Sequence, residues 1–266
     1  MKTRSLFFSV LITVLYMTIA SSAFSQGSAR YYYQLKIYHM TKAQEPVVEN
    51  FLKTAYLPAL KRAGISKVGV FKPVAPTDTT EQLIYVFVPF TSLTQFDKIN
   101  PVLDKDQQYK AAGKDYLEAA YNKPAYKRIE SILLRSFPAM PEPEVPNLTG
   151  PKSERVYELR SYESATENYA ANKIKQFNEG NQDGNEIKLF KRLNFNTVFA
   201  SEVISGSRMP NLMYMTTFNN KADRDAHWAA FSADSIWKAL SGMTEYQHNV
   251  AKNDMKFIYP VDYSDY

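Results

Sequence analysis

Glu158, Arg160 and Tyr162 alternate along Tyr157-Glu-Leu-Arg-Ser-Tyr162, so a strand would carry all three on one face. A carboxylate, a guanidinium and a phenol at that spacing can bind a polar ligand, move a proton or neutralise one another. A near copy lies 124 residues earlier, Tyr33-Gln-Leu-Lys-Ile-Tyr38, and sets Gln34, Lys36 and Tyr38 in the same phase. If Tyr157 and Leu159 pack beneath helices, and if the two halves pack sheet against sheet, the two polar faces meet between them. They then enclose either a ligand pocket or an internal ion pair, Glu158 with Arg160 or with Lys36, that fixes the pairing of the halves. Buried charge must be paired in either case, or it costs several kcal/mol. His227, beside Trp228, adds a group able to act as a base or to ligate haem. The candidate ligand-binding residues are therefore Lys36, Tyr38, Glu158, Arg160, Tyr162 and His227; none is assigned as catalytic.

Other chemistries find no support. The three histidines are His39, His227 and His248, with no pair at i, i+4, so no metal site is expected. With no cysteine there is no disulfide, thiolate nucleophile or iron–sulfur cluster. Gly180-Asn-Gln-Asp-Gly-Asn185 lacks the following Lys-Ser/Thr of a phosphate loop, and no Gly-x-Ser-x-Gly elbow occurs. Arg208, in a Gly-Ser-Arg-Met-Pro turn, could hold an anion or lie on a hairpin surface. Trp228, Phe231 and Trp237 fit core packing, with stacking of a flat ligand as the alternative. No cofactor is assigned. The formal charge of +5 falls to +3 without Lys2 and Arg4, too little to argue for nucleic acid.

The elements that would position these groups repeat. A basic start at Met1–Arg4, an apolar run from Leu6 to Ala20 and Ala23-Phe-Ser25 read as a signal peptide over 1–25, cleaved between Ser25 and Gln26. A periplasmic or secreted product, without stable membrane insertion after cleavage, follows. Residues 30–137 read as strand, helix, two strands, helix and strand, the ferredoxin-like order. Pro58 should kink the first helix, and Pro101 should break the second helical region. Five prolines in 138–151 read as a stiff linker. Residues 152–266 repeat the order, with a helix from Ala222 to Leu240 whose apolar face carries Ala226, Ala229, Ala230, Ala233, Trp237 and Leu240.

Tyr157-Glu-Leu-Arg-Ser-Tyr162 resembles the opening motif of the NIPSNAP family, and the Arg, Trp, Phe, Asp, Trp pattern from Arg224 to Trp237 resembles its second helix. Gly206 to Phe218 and Tyr263-Ser-Asp-Tyr266 are similar to exported Bacteroidetes-type members. The first half is similar only in outline, through Leu57-Pro-Ala-Leu60, Gly64-Ile65 and Val68-Gly-Val-Phe71, and its second helix lacks the Arg and Trp pattern. The resemblance implies an α+β protein in which two ferredoxin-like halves of one chain pack as a dimeric α+β barrel. It implies little about activity, since relatives in that superfamily include cofactor-independent monooxygenases, haem-handling enzymes and plain binders. A non-catalytic binder of a small, partly apolar or aromatic ligand or of a protein partner is the leading expectation. A cofactor-independent oxygenase or isomerase using Tyr162, Arg160 or His227 is the alternative, and haem handling through an apolar pocket with His227 or His39 is a third. Homo-oligomerisation is left open.

Overall fold

A computed structural model describes residues 29–74 and 80–266. The signal peptide expected over 1–25 lies outside the described residues. Strand β1 (Tyr32–Met40) leads to helix α1 (Glu45–Phe51), a π-helical turn (Leu52–Tyr56) and α2 (Leu57–Arg62). Then come β2 (Gly69–Pro73), β3 (Gln82–Phe90), helices α3 (Leu93–Leu103), α4 (Gln107–Ala112) and α5 (Lys114–Leu117), and β4 (Arg128–Ser136). After the proline-rich segment follow β5 (Val156–Glu163), α6 (Glu167–Asn178), α7 (Glu186–Arg192), β6 (Phe199–Ser205) and β7 (Asn211–Phe218). Helices α8 (Lys221–Ala233) and α9 (Ser235–Gly242) precede the last strand, β8 (Lys252–Pro260).

The eight strands form one closed barrel in the order β1-β3-β2-β8-β5-β7-β6-β4. Each set of four keeps the ferredoxin-like order, with its first strand between the third and fourth. The seams are β2 with β8, where Phe71 faces Pro260, and β4 with β6, where Ser136 faces Ser201. Glu202 reinforces the second seam by accepting from Arg135 Nε at 2.8 Å and from Arg30 Nη2 at 2.9 Å. Closure leaves neither sheet with a free edge on those sides.

Inside the barrel, aromatic rings from both sets of strands interlock. Phe87 and Phe199 stack at 4.8 Å, Tyr33 leans on both, and Phe71 meets Tyr157 at 5.3 Å. Beyond its share of buried area, each such pair is worth about 0.5–1.5 kcal/mol. One end is shut by Tyr266, whose ring lies 5.9 Å from Phe71 and 6.2 Å from Phe87. Its segment continues β8 along Val68–Val70: Val261 N–H donates to Val70 O, Asp265 N–H to Val68 O, and Asp265 pairs with Lys61 at 2.7 Å. The helices cover the outside in two separate clusters, one over β1–β4 and one over β5–β8.

Local deviations have local causes. At Pro58 the helix widens ahead of the ring, and Leu57 N–H reaches back five residues to Leu52 O. That π turn takes up the conflict between the pyrrolidine ring and the preceding turn. Pro101 does not break α3, which runs two residues further; in the last turn the ring removes little bonding. The expected helix over 222–240 is two helices. Asp234 adopts an extended conformation and accepts from Ile236 N–H and Trp237 N–H at 2.9 and 3.2 Å, which starts α9 afresh. The alanine face of α8 is exposed, whereas Arg224, His227, Trp228 and Phe231 turn inward. Alanine frees little energy on burial, so the four larger side chains set the helix rotation.

Candidate functional site

The face carrying Glu158, Arg160 and Tyr162 looks outward at α6–α9, not across the barrel at the other sheet. This overturns the expectation that these groups lie between the halves. On β5 it is Tyr157 and Leu159 that enter the interior, because the opposing strands offer rings and aliphatic chains there and no counter-ion. The cation that Glu158 needs stands on a helix. Arg224 Nε donates to Glu158 Oε2 at 2.8 Å, Arg224 Nη2 and Arg160 Nε donate to Oε1 at 3.0 and 2.6 Å, and Trp228 Nε1 donates to Oε2 at 2.9 Å. Glu158 has no solvent exposure. Burial alone would raise its carboxyl, but the Arg224 hydrogen bond, the Arg160 charge and the indole N–H more than offset it and hold it below the ordinary glutamate range.

The network runs on. The Arg160 guanidinium lies over the Trp228 ring, 3.9 Å from its centroid, and Nη1 donates to Tyr162 Oη at 2.9 Å. Tyr162 and Tyr214 share a hydrogen bond at 2.7 Å. Beneath them Lys173 Nζ donates to Gln176 Oε1 at 2.6 Å and Glu186 Oε2 at 2.8 Å. Burial pushes the Glu186 carboxyl up, with Lys173 opposing. The layer ties β5 to α6–α9 within one set of four strands and does not join the two sets. The buried Thr216 hydroxyl on β7, opposite Glu158, has no hydrogen-bond partner among the described residues.

The remaining candidates are dispersed. Lys36 lies on the outer face of β1, donating to Tyr56 Oη at 3.1 Å, and does not pair with Glu158. Tyr38 packs edge-on against Tyr116 and Tyr126 in the same cluster. His227 is a boundary residue, its Nδ1 2.7 Å from Asp223 O and its ring against Phe195 and Phe218. Arg224 enters the sequence reading only through the family pattern, with no role assigned to it. The signal that could have found its role is its spacing of four from Trp228, which aims both at one strand face.

A cavity does exist between the two sheets, lined by the opposite strand faces. It opens at the barrel end away from Tyr266 and holds about 350 Å³, at the small end of the roughly 300–1,000 Å³ usual for ligand pockets. Its walls include Ile37, Leu83, Tyr85, Leu159 and Met213. Charged groups ring the mouth. His39 Nε2 sits 2.9 Å from Glu130 and Nδ1 3.3 Å from Glu81. Arg208 reaches Asp254 at 3.0 Å and Glu163 at 3.2 Å, and Lys256 reaches Asp254 at 3.0 Å. Burial would raise Asp254, but hydrogen bonds from Lys256 and Arg208 keep its carboxyl lowered. None of the six candidates read from sequence lines this cavity. Among the described residues no cluster of His, Cys, Asp and Glu could hold a metal ion, and no helix is long and apolar enough to cross a membrane.

Two ferredoxin-like sheets closed face to face with helices outside define an α+β protein of the dimeric α+β barrel type. A protein designated a monooxygenase from Lactobacillus acidophilus NCFM shares the fold with a TM-score of 0.53 at 11% identity, over 87% of this chain and 94% of its own. One so designated from Fusobacterium nucleatum aligns with a TM-score of 0.48 at 9% identity, over 88% and 93%. A haem-binding protein from Thermus thermophilus aligns at 0.42 and 9%, over 88% and 92%. At such identities the likeness concerns fold alone. By sequence, residues 157–265 match the NIPSNAP family model. No curated protein matches the chain.

Proposed function

We infer that this chain binds a small, partly apolar molecule in the mouth of its barrel, and that it does so without catalysis. The carrying observation is the cavity of about 350 Å³ with an aliphatic and aromatic wall and a charged rim. An apolar hollow with a few polar groups at its edge suits a ligand that buries its body and keeps one end near water. Arg160, Tyr162 and His227, the groups that an oxygenase or isomerase would have used, are turned to the helical layer. Haem handling is a second reading favoured by one fact, that His39 borders the cavity. To ligate iron, an imidazole nitrogen of His39 would first have to leave Glu130 or Glu81. Export through the leader, and a division into units at 30–137 and 152–266 joined by 138–151, complete the reading.

Native mass spectrometry of the protein from its own source tests it. The expected result is a stoichiometric small molecule on the wild type that is lost from Ile37→Trp, whose indole would fill the mouth. Retention by Ile37→Trp, or a second protein chain in place of a small molecule, would overturn it. Titration with haemin, followed by the Soret band in wild type and His39→Ala, separates the haem reading.

A further inference from the structure

We propose that Tyr85 is the specificity-determining donor of this cavity and that the ligand it selects is a neutral molecule with a carbonyl-type oxygen on an apolar body. This rests on the reading of the cavity as a ligand site. Tyr85 stands on β3 with Ile37 beside it on β1. Its ring is almost wholly buried in the interior cluster, yet it borders the cavity. Most polar groups near it are already committed. Ser161 is tied to Asn211, His39 to Glu130, and Arg208 and Lys256 to Asp254. The Tyr85 hydroxyl has no hydrogen-bond partner among the described residues; Ser207, the other lining residue whose side chain has none, is exposed at the mouth, so Tyr85 is the uncommitted polar group of the buried wall.

The charge around Tyr85 decides what it can receive. Burial first, then the carboxylates of Asp254 and Glu130, push its phenol up to about 12, while Arg208 opposes them. The group therefore stays protonated near neutral pH and offers an O–H. The same two carboxylates disfavour a second anion at this point. The cations that might have received a ligand carboxylate are already engaged by Asp254 and Glu163. An uncharged acceptor oxygen meets the donor without repulsion. Ile37, Leu83, Leu159 and Met213 then cover its apolar remainder.

Matched two-ring probes test the class: naphthalene, 2-acetylnaphthalene, 2-naphthoate and 2-naphthylmethylamine, titrated by fluorescence into wild type, Tyr85→Phe and Ile37→Trp. A neutral hydrogen bond is worth about 0.5–1.5 kcal/mol, or roughly two- to tenfold in affinity. The ketone should exceed naphthalene and naphthoate by that factor in wild type. Tyr85→Phe, which keeps the ring and the packing, should erase the advantage and leave naphthalene unchanged. If naphthalene binds and Ile37→Trp blocks it but the ketone gains nothing, the cavity stands and the assignment of Tyr85 is wrong. The assignment also fails if naphthoate or the amine binds tightest. If wild type binds none of the four, or Ile37→Trp binds them equally well, the cavity reading itself falls.

Discussion

Replacing Glu158 by Gln keeps the shape of the side chain and removes the charge that three donor residues converge on. Two guanidiniums, on Arg160 and Arg224, and the Trp228 indole lose a common carboxylate in a layer where Glu158 has no contact with solvent. Removing one partner from a buried ion cluster costs about 3–5 kcal/mol, because the remaining charge is left without compensation. At roughly 2–4 °C per kcal/mol for a chain of this size, Tm should fall by about 6–20 °C. Urea denaturation at pH 7 gives the free energy directly. The Glu158 carboxyl is lowered in the fold, so its contribution is complete above the unfolded value of about 4.3 and fades as pH falls through the lower folded value. The gap between wild type and Glu158→Gln should therefore close only in acid, below about pH 4. Glu186→Gln is the internal contrast: burial pushes that carboxyl up, so a neutral amide should cost less there than at Glu158. A Glu158→Gln variant within about 1 kcal/mol of wild type, or one no worse than Glu186→Gln, would refute the reasoning.

Three further variants probe separate links. Tyr162→Phe removes the partner of both Arg160 Nη1 and the Tyr214 hydroxyl, and should cost about 1–3 kcal/mol in denaturant unfolding. Gly180 closes α6 with φ +65°, and an added Cβ would run into the backbone of Gly184; Gly180→Ala should lower stability by about 1–3 kcal/mol, read by differential scanning calorimetry. His227→Ala loses the contact with Asp223 at the edge of α8 and should cost about 1 kcal/mol or less, while probe affinity at the barrel mouth stays within about twofold.

The alternation in Tyr157–Tyr162 and Tyr33–Tyr38 was enough to fix strands, and the order of elements pointed to two ferredoxin-like halves, whose packing as a barrel was implied by the family resemblance. Which face turned inward was not legible. A period of two separates Glu158, Arg160 and Tyr162 from Tyr157, Leu159 and Ser161 but assigns neither set to a side. The expectation that Tyr157 and Leu159 pack beneath helices failed because Arg224 and Trp228 supply partners for Glu158 from a helix 66 and 70 residues away. The alanine face of α8 misled for a related reason: counting apolar residues ignored how little each methyl contributes. A pocket between the sheets was one of the two expectations, but its lining was invisible from sequence because the walls come from strands of both halves, and Ile37, Tyr85, Leu159 and Met213 share no motif. Their common feature is phase along the strands, which becomes a site only after closure.

The central claim is that ligand enters between the sheets and that the Glu158 layer is structural. Methionine-methyl NMR during titration with 2-acetylnaphthalene tests it, since Met213 lines the cavity, Met140 lies in the helical cluster and Met255 Sδ sits 3.7 Å from Arg224 Nη2. Saturable movement of the Met213 signal, with Met140 and Met255 fixed, is the predicted result. Movement of Met140 and Met255 while Met213 stays still would place the ligand in the helical layer and contradict the account.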